Sequence, residues 1–430
     1  MIIPQLYDIF KQHPVVTTDS RVCPEGAIFF ALKGPTFNGN NYAESAIEKG
    51  CSYAVVDEWD ENKTRPEHII LVDDVLTVLQ QLANYHRKTF KAPVIAITGT
   101  NGKTTTKELV AAVLSKAFKV LYTLGNFNNH IGVPLTLLSM TKEHEIAVIE
   151  MGASHPGDIK ELCEIAEPNF GLITNVGVAH IEGFGSIENV VKTKTELFDF
   201  LDQHDGKAFV NRELKDVLNF SHKMDMNEYG KDDLSLFVSG SIVSSYPYLE
   251  FEWQFSDNRH HVKTHLVGDY NLDNALAAIT IGSFFGVNSE FINEALESYI
   301  PKNSRSQFEK TEKNTLIIDA YNANPTSMKA ALDSFVNYPL SPKALIIGEM
   351  RELGGVSKAE HQQLVDLIKA YSFTKVYLVG KSFKNLTTDF PIYDNVGDLI
   401  EKITSEPLSD YCIFIKGSNG VQLDKVVGYL

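Results

Sequence analysis

A chain of 430 residues exceeds the size at which a single hydrophobic core keeps growing, so two or three domains are expected, and three fit the pattern below. With 43% hydrophobic and 22% charged residues it has the composition of an ordinary globular protein, not of a disordered or fibrous one. The formal charge of −16 at pH 7 argues against a general affinity for nucleic acid or anionic membranes, which needs clustered Lys and Arg, so an anionic ligand must be met by local cations.

The opening MIIPQLYDIF lacks the basic flank and apolar stretch of a secretory signal, and no run of roughly 18 apolar residues follows, so a cytoplasmic protein without an integral membrane segment is expected. Through residue 90 the sequence reads as a small α/β unit, with short apolar strands at AIFFAL, YAVVD and HIILVDD and helices near 42–49 and 75–90. Pro93 restricts the backbone ahead of VIAIT, a β-branched run that reads as a buried parallel strand near the start of a second domain over 91–302. A helix from about Lys103 to Phe118 follows. Strands KVLYT, EIAVIEM and FGLITNV then alternate with helix-length segments, the pattern of a parallel sheet with right-handed crossovers. Between 246 and 267, YPYLEFEWQF and HHVKTHLV alternate apolar and polar positions about a turn holding Asp257 and Asn258, which predicts an antiparallel hairpin. After Pro301 a third alternation, over 303–430, places strands at TLIIDA, KALIIGE, KVYLVG and YCIFIKG around helices at 326–337 and 357–371. Residues 300–304, with Pro301, Asn303 and Ser304, are the expected hinge before it. Cys23, Cys51, Cys163 and Cys412 are scattered without metal-ligand or disulfide-framework spacing and read as reduced structural thiols.

The densest chemistry lies in VIAITGTNGKTTTKELVAAVL. A buried strand enters a glycine-containing turn and leaves as a helix, so backbone N–H groups and the positive helix end converge on one point suited to phosphate. Gly99, Thr100, Asn101, Gly102, Lys103, Thr104 and Thr105 form this loop: the glycines permit the tight path, Lys103 can reach the β- and γ-phosphates, and the Thr104 hydroxyl can ligate Mg²⁺. A strict GxxxxGK[ST] loop would have glycine where Ile97 stands, so this is a variant. It predicts ATP use, but a kinase, a switch, a motor and a ligase all share such a loop. Glu150 ends EIAVIE at the carboxyl edge of the sheet, where open α/β folds bind ligands; it is a candidate Mg²⁺ carboxylate, with a solvated strand end as the plain alternative. His180 and Glu182 follow the strand FGLITNV at the same edge. Lys192, Lys194 and Glu196 lie on the next helix, where spacing alone favours a solvated charged face.

With the loop, the strand-end glutamate, AHIEGFGS and VKTKTELF in this order, the chain resembles the Mur ligase family of bacterial cell-wall synthesis over nearly its whole length. Within that family, TDSRVCPEGAIFFALKGPTFNGNNY, GNFNNHIGVPLTLL, EMGASHPGDI, GDYNLDNALAA, DAYNANPTSMKAAL and GEMRELG with a downstream KGS resemble the member that adds D-alanyl-D-alanine to UDP-N-acetylmuramoyl tripeptide. The resemblance implies a three-domain α/β architecture. An N-terminal UDP-substrate-binding domain (1–90) precedes a central ATP-binding domain built on a phosphate loop and parallel sheet (91–302) and a Rossmann-like C-terminal domain (303–430). It implies ATP and Mg²⁺ as cofactors, the UDP-tripeptide and D-alanyl-D-alanine as substrates, and a monomer that forms an amide through an acyl phosphate.

Position by position, the resemblance makes Lys103 and Thr104 the loop lysine and metal-binding hydroxyl, Glu150 a Mg²⁺ ligand and His180 a second-metal ligand. Lys194 matches a lysine that CO₂ carbamylates, turning an ammonium into a carboxylate-like ligand. Asn271 and Asn274 resemble positions near the adenine, and Arg305 one near the nucleotide phosphates; Asp319, with Tyr321, Asn322 and Asn324, resembles an acid and loop that reach ATP. Ser20 and Arg21 resemble the UDP-recognition surface, and Asn126, Asn128 and Asn129 a substrate-contacting loop. Lys416 and Ser418 fall in KGSNG, where relatives commonly carry arginine at the position of Asn419. Three alternatives stand beside this reading: the sister ligase that adds the third amino acid, a folylpolyglutamate synthetase, and a non-ligating nucleotide-binding regulatory module. No DNPR-like clamp supports the first, the N-terminal UDP-binding unit speaks against the second, and joint retention of Glu150, His180 and Lys194 against the third.

Overall fold

Short aliphatic runs build three main sheets, as the α/β pattern predicts, beside a two-stranded ribbon of Lys33–Gly34 and Phe37–Asn38, in a computed structural model that describes residues 3–218, 224–301 and 305–430. Val16–Thr17, Ile28–Phe30, Tyr53–Val56 and Ile69–Leu71 pair in parallel in that order. Ile28–Phe30 is buried throughout because both faces are covered. Leu6, Phe10, Leu79 and Leu82, from the helices Ile3–Gln12 and Val75–Lys88, pack on Ile28 and Phe30, while Ala43 and Ala46 of Ala43–Glu48 meet Phe29 and Ala54. Ile3–Gln12 goes beyond the expected elements: only Leu6 and Phe10 are buried in it, too short a repeat for periodicity to declare a helix. Val75–Lys88 also joins this unit to the next. His86 Nε2 lies 2.9 Å from the Met140 carbonyl, and the Arg87 guanidinium donates to the Ala166 carbonyl at 3.1 Å and the Asn169 side chain at 3.0 Å.

The second sheet runs Asn258–Lys263, Glu250–Phe255, Val238–Ser244, Asp225–Lys231, Lys207–Asn211, Phe170–Ile173, Val94–Thr98, Ile146–Glu150, Val120–Tyr122. From Val238–Ser244 onward all pairings are parallel. Val94–Thr98 and Ile146–Glu150 are buried at every residue, the mark of a sheet covered on both faces. Lys103–Leu114 and Asn271–Phe284 lie on one face, through Leu109, Val113, Leu272 and Leu276; Asp158–Ala166 and Ile187–Gln203 lie on the other, through Leu162, Leu197 and Leu201. The helix expected to reach Phe118 stops at Leu114. The expected hairpin is present and antiparallel, but Asn258 already belongs to its return strand, and Val238–Ser244 splices it onto the main sheet.

In the third sheet, Thr315–Asp319, Cys412–Lys416, Lys343–Gly348, Lys375–Val379 and Ile392–Tyr393 are parallel neighbours, with Gln307–Lys310 antiparallel at the edge. Pro325–Val336 and Ser357–Tyr371 cover one face and Val396–Ser405 the other. Of the expected hinge, Pro301 is buried, while Asn303 and Ser304 lie outside the described residues. All four cysteines are free, and burial pushes the Cys51 and Cys412 thiols up to about 12, far from the reactive thiolate range. Among the described residues no helix is long and apolar enough to cross a membrane.

Candidate active site

The strand Val94–Thr98 delivers the loop to the carboxyl edge of the central sheet. Ile97 stays inside that strand, fully buried and in register with Glu150 and Leu172, so the turn begins only at Gly99. Gly99 (φ 144°) and Gly102 (φ 79°) lie in left-handed territory. A Cβ at Gly99 would stand 2.0 Å from Thr174 Oγ1, and one at Gly102 2.5 Å from Asn274 Oδ1. Asn101 is held by the end of the neighbouring strand: its N–H donates to Asn175 Oδ1 at 2.9 Å, and its carbonyl accepts from Thr174 Oγ1 at 2.5 Å and Asn175 Nδ2 at 3.0 Å. Lys103 Nζ donates to the Gly99 and Thr100 carbonyls at 2.7 and 3.1 Å. Burial lowers its pKa, the Glu150 carboxylate opposing that loss of charge.

Around this loop lies a cavity of about 650 Å³ walled by the central and C-terminal domains. Glu150 lies in its wall, 1% exposed. Glu150 Oε1 accepts from Asn128 Nδ2 at 2.8 Å and Thr104 Oγ1 at 3.2 Å, and its backbone N–H donates to Thr123 Oγ1 at 3.0 Å. Its other oxygen, Oε2, is buried without a hydrogen-bond partner. An unpaired carboxylate oxygen beside a threonine hydroxyl, at the edge of a phosphate-type loop, fits a hard cation that completes its shell with nucleotide oxygens and water. Among the described residues no group of three or more His, Cys, Asp or Glu side chains is arranged to hold a metal ion by itself.

His180, left-handed at φ 51°, also lines the cavity and pairs through Nδ1 with Glu352 of the C-terminal domain. Burial lowers the imidazole pKa, and Glu352 works against that. Lys194 is 3% exposed, its Nζ 5.8 Å from the centre of the Phe184 ring, and it is not among the residues that line the cavity. The solvated face that spacing favoured is thus absent at Lys194. Burial, with Lys103 adding repulsion, holds its pKa well below the ordinary value. Its helical neighbour Glu196 caps the helix Asp158–Ala166, accepting from the Gly157 and Lys160 N–H groups at 3.0 and 2.9 Å.

Of the remaining expected residues, Asn126, Asn128, Asn129, Asn271, Asn274, Arg305, Asp319 and Asn322 all line the cavity. Their side chains are not equally free to meet a ligand. Asn129 Oδ1 accepts from the Ile131 and Gly132 N–H groups, a turn-forming role. Asn274 donates to Asn271 Oδ1 at 2.9 Å and accepts from Thr106 Oγ1 at 3.0 Å, and Asn271 donates to the Val267 carbonyl at 2.8 Å, so this amide pair braces the floor of the loop. The Arg305 guanidinium stacks 3.7 Å from the centre of the Tyr321 ring. Asp319 pairs with the buried Lys416 at 2.5 Å. Ser20 and Arg21 are not brought to the cavity; they sit on a turn of the first domain where Arg21 pairs with Asp19 at 2.8 Å.

Side-chain contacts join the loop side to the C-terminal domain. Asn101 and Asn324 exchange side-chain amide hydrogen bonds at 3.3 and 2.7 Å, the Val178 N–H donates to Thr326 Oγ1 at 3.0 Å, and His180 meets Glu352. Asn175, Thr326 and Glu352 escaped the sequence reading. Asn175 could have been found, since it follows a buried strand at the same edge as Glu150; the other two depend on contacts across more than 140 positions of chain.

Three family models match this chain: the Mur ligase family catalytic domain over residues 14–87, the Mur ligase middle domain over 97–282, and the Mur ligase, glutamate ligase domain over 304–419. The UDP-N-acetylmuramoyl-tripeptide--D-alanyl-D-alanine ligases of Bacillus subtilis (strain 168) and Escherichia coli (strain K12) are each 33% identical to it, over 96% of this chain and 92% of theirs. Among solved structures, MurF from Acinetobacter baumannii superposes with a TM-score of 0.84 at 28% identity, covering 96% of this chain and 92% of that one. MurF ligase from Thermotoga maritima in complex with ADP gives 0.87 at 25% identity, covering 98% and 97%. The chain belongs to the Mur ligase family.

Proposed function

We infer that this protein is an ATP-dependent ligase that joins D-alanyl-D-alanine to UDP-N-acetylmuramoyl tripeptide. The observation that carries the reading is the 33% identity, over 96% of the chain, to ligases of that reaction; the cavity supplies the chemistry. A carboxylate resists nucleophilic attack because of its charge and resonance. A tripeptide carboxylate oxygen therefore first attacks the γ-phosphorus of ATP, and the bond to the bridging oxygen breaks with its electrons leaving on ADP. The free amine of D-alanyl-D-alanine adds to the carbonyl carbon of the acyl phosphate, the tetrahedral adduct expels phosphate, and the nitrogen loses a proton to leave the amide.

The chain contributes position and charge. Loop N–H groups and the first turn of Lys103–Leu114 face the phosphates, and the Lys103 ammonium stands at the same point. Thr104 and Glu150 would hold Mg²⁺, which when bound offsets negative charge on the phosphates. The low pKa of Lys194 favours the neutral amine that can add to CO₂ with loss of a proton, and the carbamate together with His180 would form a second cation site. Asn126 and Asn128 face the peptide, and the turn at Ser20 and Arg21 is assigned to the UDP end. A reaction between ATP and a UDP-linked precursor belongs in the cytoplasm.

With ATP and Mg²⁺, phosphate release by the purified protein is expected only when UDP-tripeptide and D-alanyl-D-alanine are both present, with a UDP-pentapeptide formed in equal amount. Phosphate release indifferent to either substrate would remove the assignment.

A further inference from the structure

We propose that Lys107, a buried lysine outside the cavity, is a positioning residue that fixes the Glu150 carboxylate through Thr123; this rests on the reading of Glu150 as the Mg²⁺ carboxylate.

Lys107 is 0% exposed. It stands one turn beyond Lys103 and three residues after Thr104 on Lys103–Leu114. Its Nζ donates to the Thr123 carbonyl at 2.6 Å, pairs with Glu108 at 2.7 Å and lies 5.6 Å from the centre of the Tyr122 ring. Thr123 is fully buried as well. Its N–H donates to the Val148 carbonyl at 3.1 Å, and its hydroxyl oxygen accepts from the Glu150 N–H at 3.0 Å. One helix thus grips the glutamate from two sides: Thr104 reaches its Oε1 from the cavity, and Lys107 holds from behind the residue that anchors its backbone.

Burying an ammonium in a sheet-helix core is costly even when it is paired, and an apolar residue would fill such a slot more cheaply, so packing alone does not account for a lysine. What the ammonium adds is direction. A Thr123 carbonyl without its donor has no reason to keep that peptide plane fixed, and the Thr123 hydroxyl moves with the same backbone. The unpartnered Glu150 Oε2 can be aimed at a cation only if the carboxylate is held by the rest of the residue, which the Thr123 and Asn128 contacts do. Lys107 then stands to the cation as an outer-shell group, orienting a ligand without touching the metal.

The test is calorimetric binding of a non-hydrolysable ATP analogue (AMP-PNP) to the full-length protein across a Mg²⁺ series. K107M keeps the aliphatic stem and removes the ammonium; T123V keeps the carbonyl and removes the hydroxyl. In both, the half-saturating Mg²⁺ concentration is expected to rise on the order of tenfold or more, as for lost outer-shell partners. Analogue affinity at saturating Mg²⁺ should hold. The double variant should be no worse than the weaker single, since both changes cut one chain of contacts. E150Q serves as the reference. If E150Q raises the Mg²⁺ requirement while folded K107M and T123V keep the parental one, the role of Lys107 is overturned and the Glu150 reading stands. If E150Q changes nothing, the Glu150 reading fails and takes the inference with it. Should K107M not melt cooperatively, T123V decides alone: a raised requirement supports the relay and a parental one overturns it.

Discussion

Lys194 shows how differently a residue reads in a sequence and in a fold. On helical spacing alone it belongs to a solvated charged face, and only the family resemblance singled it out; the structure buries it against Phe184 with its pKa depressed. Because the folded state disfavours the proton, the penalty is full below the lowered native pKa and disappears as pH rises through the ordinary 10.5 of the unfolded chain. K194M should therefore melt higher than the parent at neutral pH in bicarbonate-free buffer, while losing ligase activity. The stability gap should narrow as pH approaches 10.5, a trend readable in calorimetric melts at stepped pH. A gap that widened with pH would contradict a buried, proton-poor amine. Lys103, Thr104 and Glu150 were legible because a strand-turn-helix pattern and a strand end fix where such side chains emerge. Lys107 and Glu352 were not, since nothing local distinguishes a lysine on a helix, or a glutamate in a loop, from a solvated one.

At the scale of elements, the buried strands announced themselves. VIAIT, EIAVIE and TLIID are apolar runs closed by a polar residue, and the alternation of the hairpin is equally plain. Asp225–Lys231, DMNEYGK, carries no such signal: only Tyr229 and Gly230 are buried in it, and it becomes a strand because Lys207–Asn211 and Val238–Ser244 flank it. The helix Pro325–Val336 begins with a capping box in which Asn324 Oδ1 accepts from the Ser327 N–H at 2.9 Å while the same side chain bonds Asn101. N324A should cost about 1 kcal/mol in helix capping, seen as a lower melting temperature. Loss of the amide pair to the phosphate loop should also raise the KM for ATP more than it lowers kcat. N324S, which restores the cap but not the pair, should recover stability without recovering KM. Equal recovery of both would show that the link to Asn101 carries no weight.

Across the whole molecule the loop reads as a joint between domains as well as a phosphate cradle. Beside the cavity the central domain meets the C-terminal one through Asn101–Asn324, Val178–Thr326 and His180–Glu352, so the residues that shape the site also hold the two domains together. In the proposed role as a cation ligand His180 would act as the neutral imidazole, a form its lowered pKa favours; Glu352 pulls the other way. E352Q removes that pull, so the acid limb of the rate–pH profile should move to lower pH, with the rate at its plateau falling as the interdomain contact weakens. An unmoved acid limb would show that Glu352 does not tune His180.

If ATP held at the loop transfers its γ-phosphoryl group to a carboxylate that then becomes an amide, isotope transfer reveals it most directly. UDP-tripeptide carrying heavy oxygen in the reacting carboxylate is turned over with ATP, Mg²⁺ and D-alanyl-D-alanine, and product and phosphate are weighed by mass spectrometry. The predicted result is a UDP-pentapeptide that has lost one heavy oxygen per molecule, and inorganic phosphate that has gained it. Pentapeptide formed with unlabelled phosphate, or labelled substrate recovered unchanged while ATP is consumed, would contradict the account.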